Sequence, residues 1–96
     1  MYLLQIEHPV PHYEGWKQAF DADPLDRKGS GVKRYTIYRT IDDPDYVLVE
    51  LVFEDRDLAD DMLAKLQKLW NQVGGLIISG PKARLVEPIE SKDYRS

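Results

Sequence analysis

The fold is decided by residues 32–53. They run Val32-Lys-Arg-Tyr-Thr-Ile-Tyr-Arg-Thr-Ile41, then Asp42-Asp43-Pro44-Asp45, then Tyr46-Val-Leu-Val-Glu-Leu-Val-Phe53. Both flanks are rich in β-branched and aromatic residues, and the cluster between them holds the residue types that favour turns. The pattern predicts two strands joined as a hairpin. With a loop of two or four residues, Tyr35, Ile37, Arg39 and Ile41 share a face with Tyr46, Leu48, Glu50 and Val52. Val47, Val49, Leu51 and Phe53 then share the other with Val32, Thr36 and Tyr38. A loop of odd length would turn one strand over, because side chains alternate with a period of two.

Moving outward, Tyr-Leu-Leu-Gln-Ile-Glu-His over residues 2–8 reads as a first strand, with Tyr2, Leu4, Ile6 and His8 on one face. Pro9 and Pro11 end it, since proline donates nothing to a ladder, and Pro11 suits a first helical turn. Tyr13, Trp16 and Phe20 form an apolar stripe on a helix ending near Asp23-Pro24. Residues 24–31, with Gly29-Ser30-Gly31, read as a loop. After the hairpin, Asp55 or Asp57 can cap a second helix whose stripe is Leu58, Met62, Leu66, Leu69, Trp70 and Val73. Asp61 and Lys65 are spaced as an i, i+4 pair, and Gly74-Gly75 is a helix stop. Residues 76–78 fit either a short edge strand or a packed turn, and residues 83–89 read as the last strand. The order is β-α-β-β-α-β, an α+β, ferredoxin-like antiparallel sheet with two helices on one face.

Ninety-six residues make a single domain, here residues 1–90, followed by a polar tail over 91–96. The 43% apolar content is that of a globular chain, and a net charge of −4 disfavours a nucleic-acid partner. The absence of cysteine excludes disulfides, thiolate metal sites and a cysteine nucleophile. The apolar runs are too short and too often interrupted by charge to cross a membrane, and the start lacks a secretory pattern. A cytoplasmic protein is expected.

Two helices can cover only one face of such a sheet. The other would carry Tyr2 or Leu3, Leu4, Ile37, Tyr46, Leu48 and Val52. Left bare, it would expose roughly 600–900 Å² of largely apolar surface, above the few hundred usual for monomers. At about 25 cal/mol/Å², burying that area contributes on the order of 15–20 kcal/mol gross per subunit before association costs. Two identical sheets packed face to face would bury it, so a homodimer is expected.

The words His8-Pro-Val-Pro-His-Tyr-Glu-Gly-Trp16-Lys-Gln-Ala-Phe20 and Phe53-Glu-Asp-Arg-Asp-Leu-Ala59 carry a likeness. By them the chain resembles the dimeric α+β-barrel superfamily, of the antibiotic-biosynthesis monooxygenase-like and stress-responsive barrel type. The likeness spans nearly the whole chain, but it is one of layout and packing residues and specifies fold more than activity. It implies a cavity between sheet and helices that takes a small, often aromatic molecule. It also implies chemistry ranging from cofactor-free oxygenation to cyclisation, alongside members with no reaction. The haem-degrading branch uses an asparagine on the first strand, a tryptophan, and a histidine on the second helix, of which Trp70 alone is not enough. This chain has Gln5 on that strand and both histidines before the first helix, so it departs from that branch. Some cyclase relatives use a first-strand histidine, which His8 matches by position.

From the residues themselves, His8 could serve as a general base on a bound phenol or enol, or be a hydrogen-bonded structural histidine. His8 and His12 have a metal-like spacing, but the prolines between them forbid a shared helix, so no metal site is expected. Arg39 could clamp a carboxylate or enolate with Tyr35 as donor, or pair with Glu50 across the hairpin. Trp16 and Trp70, with Tyr13 and Phe20, could line a pocket for a flat ligand or be plain core. The acidic turn over 42–45 lacks the spacing of a calcium loop. An RNA-binding module is disfavoured because the second hairpin strand has neither the stacking motif nor the charge.

These readings predict binding or transformation of a small apolar or aromatic molecule without a cofactor. His8 and Arg39 would be catalytic, and Tyr35, Glu50, Trp16 and Trp70 would line the cavity. A non-catalytic association module is the alternative.

Overall fold

A computed structural model describes residues 1–73 and 80–95. Its elements are β1 (Tyr2–Pro9), α1 (Tyr13–Asp21), β2 (Arg34–Arg39), β3 (Tyr46–Phe53), α2 (Arg56–Val73) and β4 (Lys82–Val86). All pairings are antiparallel and the sheet order is β2-β3-β1-β4, so the expected ferredoxin-like α+β architecture is present. The expected helix stop at 74–75 and the segment 76–78 lie outside the described residues. Among the described residues no helix is long and apolar enough to cross a membrane.

The helix-covered face is built as the alternation requires. Leu4, Val47 and Phe53 are fully buried, and Ile6, Val49 and Leu51 nearly so. The register sets Leu4 opposite Leu51, Ile6 opposite Val49, and His8 opposite Val47, all on that face. Trp16 from α1 and Ala59 and Met62 from α2 close over them. Removing a Leu- or Phe-sized side chain from water contributes about 1.5–3 kcal/mol, so this face is the main source of stability.

The hairpin departs from the expected facing. Thr40 N–H donates to the Tyr46 carbonyl at 3.1 Å, closing a loop over residues 41–45, an odd number. Inside it, the Thr40 hydroxyl donates to the Asp43 carbonyl at 2.6 Å and Asp45 N–H to Asp43 Oδ1 at 3.0 Å. Ile41 sits in this loop, 99% exposed, rather than in a strand. The odd loop turns β2 over: Tyr35, Ile37 and Arg39 lie opposite Leu51, Val49 and Val47, on the helix side. Thr36 and Tyr38 go to the open side, opposite Glu50 and Leu48.

Two consequences follow. Arg39 and Glu50 are on opposite faces, so the expected cross-hairpin ion pair does not form. The open face also loses two apolar residues, because Leu4 and Ile37 both point toward the helices. What remains is Leu3, Tyr38, Tyr46, Leu48, Val52 and Val86, interleaved with polar residues such as Gln5, Glu50, Arg34 and Arg84. The face is therefore mixed rather than largely apolar.

Smaller differences have local causes. Asp45 Oδ1 accepts from Tyr13 N–H at 3.3 Å, so the hairpin loop caps α1 and its first helical residue falls at Tyr13, beyond Pro11. Asp55 caps α2 through Asp57 N–H at 2.8 Å. Lys65 turns to the Ser30 hydroxyl at 3.2 Å, and the i, i+4 pair on α2 is Arg56–Asp60 at 3.7 Å, not Asp61–Lys65. The last strand ends at Val86, before Pro88, and residues 87–95 carry no helix or strand. Ile89 and Tyr94 in that stretch are each 85% exposed.

Candidate functional site

Between the sheet and the two helices lies a cavity of about 330 Å³, at the small end of the range for ligand pockets. Its floor is Ile6, His8, Val49 and Leu51; α1 contributes Trp16, Ala19 and Phe20; α2 contributes Met62, Leu66, Leu69 and Trp70. The turn after α1 forms the remaining edge with Asp23, Pro24, Leu25 and Arg27. Ala19 and Ala22 also line it, with side chains too small to fill the space beside them. Among the described residues, only His8, Asp23 and Arg27 bring ionisable groups to an otherwise apolar lining.

His8 ends the buried stripe of β1 and is 3% exposed. Its Nδ1 lies 3.2 Å from the Pro9 carbonyl, which can only accept, so Nδ1 carries the proton. Burial pushes the ring's pKa below its ordinary value of 6.5, and the Pro9 carbonyl opposes this more weakly. The imidazole is thus neutral near pH 7, with a lone pair on Nε2. Among the described residues Nε2 has no hydrogen-bond partner, yet no fully buried side-chain nitrogen or oxygen is unpartnered. Nε2 is thus not a fully buried orphan, and His8 lines the cavity.

An aromatic run crosses the cavity wall. The His8 and Trp16 rings meet edge-on at 6.0 Å, Trp16 and Phe20 lie 5.2 Å apart, and Phe20 meets Tyr35 edge-on at 5.0 Å. The Arg27 guanidinium caps the run, 3.9 Å above the Phe20 ring and 5.1 Å from that of Tyr35.

Of the residues singled out in the sequence, His8, Trp16 and Trp70 meet at this cavity. Tyr35 stands behind its wall, 44% exposed. Arg39 is away from it, over the Tyr13 ring at 4.3 Å and with Nε donating to the Pro44 carbonyl at 3.2 Å. Glu50 is on the other side of the sheet, accepting from Gln5 at 2.8 Å and from the Tyr38 hydroxyl at 3.1 Å. The hydrogen bond to Glu50, and then the charge of that carboxylate, hold the Tyr38 phenol above its ordinary pKa. His12 is exposed ahead of α1, so the two histidines do not converge. Asp23 and Arg27 were not legible as site residues. Their i, i+4 spacing within a polar loop was the available signal, and it points equally to an ordinary turn.

No protein-family model matches the chain, and no curated protein does. Solved structures do. SnoaB, a cofactor-independent oxygenase from Streptomyces nogalater, is similar with a TM-score of 0.74 and 16% identity over 94% of each chain. An antibiotic biosynthesis monooxygenase is similar at 0.68 and 10% identity, over 94% of this chain and 100% of that one. The protein Rv0793 from Mycobacterium tuberculosis is similar at 0.67 and 15% identity, over 97% and 100%. At these identities the likeness is one of fold. The chain has the ferredoxin-like α+β fold of the antibiotic biosynthesis monooxygenase-like structures.

Proposed function

We propose that this protein binds a small, flat, apolar or aromatic molecule in the cavity between sheet and helices, and acts on it without a cofactor as a homodimeric α+β barrel. The observation that carries the reading is the cavity itself. Aromatic and aliphatic side chains line about 330 Å³, and the buried neutral His8 is on its floor. Such a lining selects flat apolar ligands, and a single accepting nitrogen supplies orientation and proton chemistry. The likeness to SnoaB, itself a cofactor-independent oxygenase, supports chemistry of this class.

In this reading His8 Nε2 takes a proton from a bound phenol, enol or enolisable ketone. The positive charge that forms on the ring is then paired with the oxyanion left on the ligand. The apolar lining strengthens that pairing, because the local dielectric is lower than in bulk water. Arg39, Tyr35 and Glu50 have no direct part, since none of them lines the cavity.

Proton exchange at the α-carbon of 2-tetralone in D₂O, followed by NMR, tests the reading. The protein is expected to accelerate exchange by about 10²-fold, and His8→Gln to abolish the acceleration. Tryptophan fluorescence should report binding of 2-tetralone and 2-naphthol to both forms, since Trp16 and Trp70 line the cavity. Absence of binding by either compound would overturn the cavity reading. Binding without exchange would leave a binding protein and remove the catalytic role of His8.

A further inference from the structure

Arg27 is an unusual resident of so apolar a cavity. Its side chain is only 18% exposed. Nη1 donates to the Phe20 carbonyl at 2.8 Å and lies 3.4 Å from Asp23 Oδ1, a long contact. That same Asp23 oxygen accepts a shorter bond, 2.9 Å, from the Arg27 backbone N–H. The Asp23 carboxylate is thus committed mainly to holding the turn. Among the described residues the guanidinium's Nε and Nη2 have no acceptor. No fully buried side-chain nitrogen among the described residues lacks a partner, so these two donors stay accessible at the edge of the cavity that Arg27 lines, free to meet a ligand's oxygens.

The geometry also fixes the group in place. The plane rests on the Phe20 ring at 3.9 Å, with the Tyr35 ring beside it at 5.1 Å. Asp23 and Asp26 hold the turn in the left-handed region, with φ of 52° and 49°. Non-glycine residues adopt that region sparingly, and here two of them do so to bring Arg27 back over the end of α1. A guanidinium held this way presents its remaining N–H fork without further ordering, which suits two-point recognition of a planar oxyanion.

We infer that the cavity's ligand is an aromatic acid: a flat ring system seated against Trp16 and Phe20, bearing a carboxylate or an equivalent planar oxyanion that Arg27 receives. Arg27 is then the residue that selects acidic over neutral aromatics. This rests on the cavity being a ligand site, and it adds the ligand's charge and the residue that reads it. The Phe20 carbonyl and Asp23 position the guanidinium, while the ligand's two oxygens satisfy the donors they leave open.

The test compares 2-naphthoate with 2-naphthamide, which has nearly the same shape and no charge, using quenching of tryptophan fluorescence. The naphthoate is expected to bind about tenfold more tightly than the amide, the scale of one charge-assisted hydrogen-bonded pair. Arg27→Gln should bring the ratio of naphthoate to naphthamide affinity to about one. Equal binding of the two probes by the unaltered protein, or a preference that survives Arg27→Gln, would overturn the role of Arg27 with the cavity intact. Failure of both probes to bind would instead overturn the cavity as a ligand site. If Arg27→Gln loses amide binding as well, Arg27→Lys decides, because it keeps the charge and removes the fork. A reduced preference with amide affinity retained supports the inference, and an unreduced one overturns it.

Discussion

Burying an imidazole beside tryptophan has a thermodynamic signature that can be read without any ligand. His8 is held neutral when folded, with its pKa below the ordinary 6.5, chiefly by burial. The unfolded chain therefore binds the proton more readily than the folded one between those two values. Stability from this group is fully present above about pH 6.5 and is lost as pH falls toward the depressed folded value. The slope in that window is at most about 1.4 kcal/mol per pH unit. Urea denaturation from pH 7.5 to 5 should show stability falling on acidification, with His8→Gln flattening the difference. An identical pH dependence in both forms would mean that His8 is not held neutral by the fold. A second single-residue effect is conformational. Gly31 has φ of 98°, and a Cβ there would lie 2.7 Å from Leu58 Cδ1 and 3.3 Å from Leu58 Cβ. Gly31→Ala combines a left-handed backbone with crowding against α2, and should cost about 1–3 kcal/mol in urea denaturation.

At the scale of elements, the hairpin separates what the sequence states from what it leaves open. Alternation and turn chemistry identify β1, β3 and both helices because those signals are local and repeated. The parity of the loop over 41–45 is different, since it depends on which residue closes the ladder. Ile41 is apolar and follows a β-branched residue, so it reads as strand, yet Thr40 pairs with Tyr46 and Ile41 is left in solvent. One residue of loop then reverses every side chain of β2. Ile37→Ala should consequently cost about 1–3 kcal/mol, because Ile37 packs against the core from the helix side. Ile41→Ala should change stability by less than about 0.5 kcal/mol. Comparable losses from both, measured by thermal or chemical denaturation, would restore the even-loop facing. The site divides along the same line. His8, Trp16 and Trp70 lie on regular elements whose faces periodicity reveals, and they reach the cavity. Arg27 belongs to an irregular turn, and its place depends on packing against Phe20 and Tyr35, residues distant from one another in the chain.

For the whole molecule, the question is what covers the open side of the sheet. The revised facing makes that side less apolar than alternation alone suggested, which lowers the hydrophobic gain from pairing two copies but raises its specificity. Leu3, Leu48, Val52 and Val86 form apolar points among Glu7 and Glu50 on one hand and Arg34, Lys82 and Arg84 on the other. Self-pairing about a two-fold axis can set acidic positions of one copy against basic positions of the other. Glu50 already holds two donors from its own chain, Gln5 and Tyr38, which limits the penalty of enclosing it. The tail adds to the case, since Ile89 and Tyr94 are apolar or aromatic and lie free of their own protomer's core. The proposed dimer buries on the order of 800 Å² per partner if it has the usual size of a stable interface. Light scattering at low micromolar concentration should then give a mass of two chains. Leu48→Arg introduces a charge at an apolar point beside Tyr38, on the face of the sheet opposite the cavity, and should shift the mass to one chain while the far-ultraviolet circular dichroism stays unchanged. A single-chain mass for the unaltered protein would remove the dimer, and the cavity and its proton chemistry would then have to be tested as properties of a lone protomer.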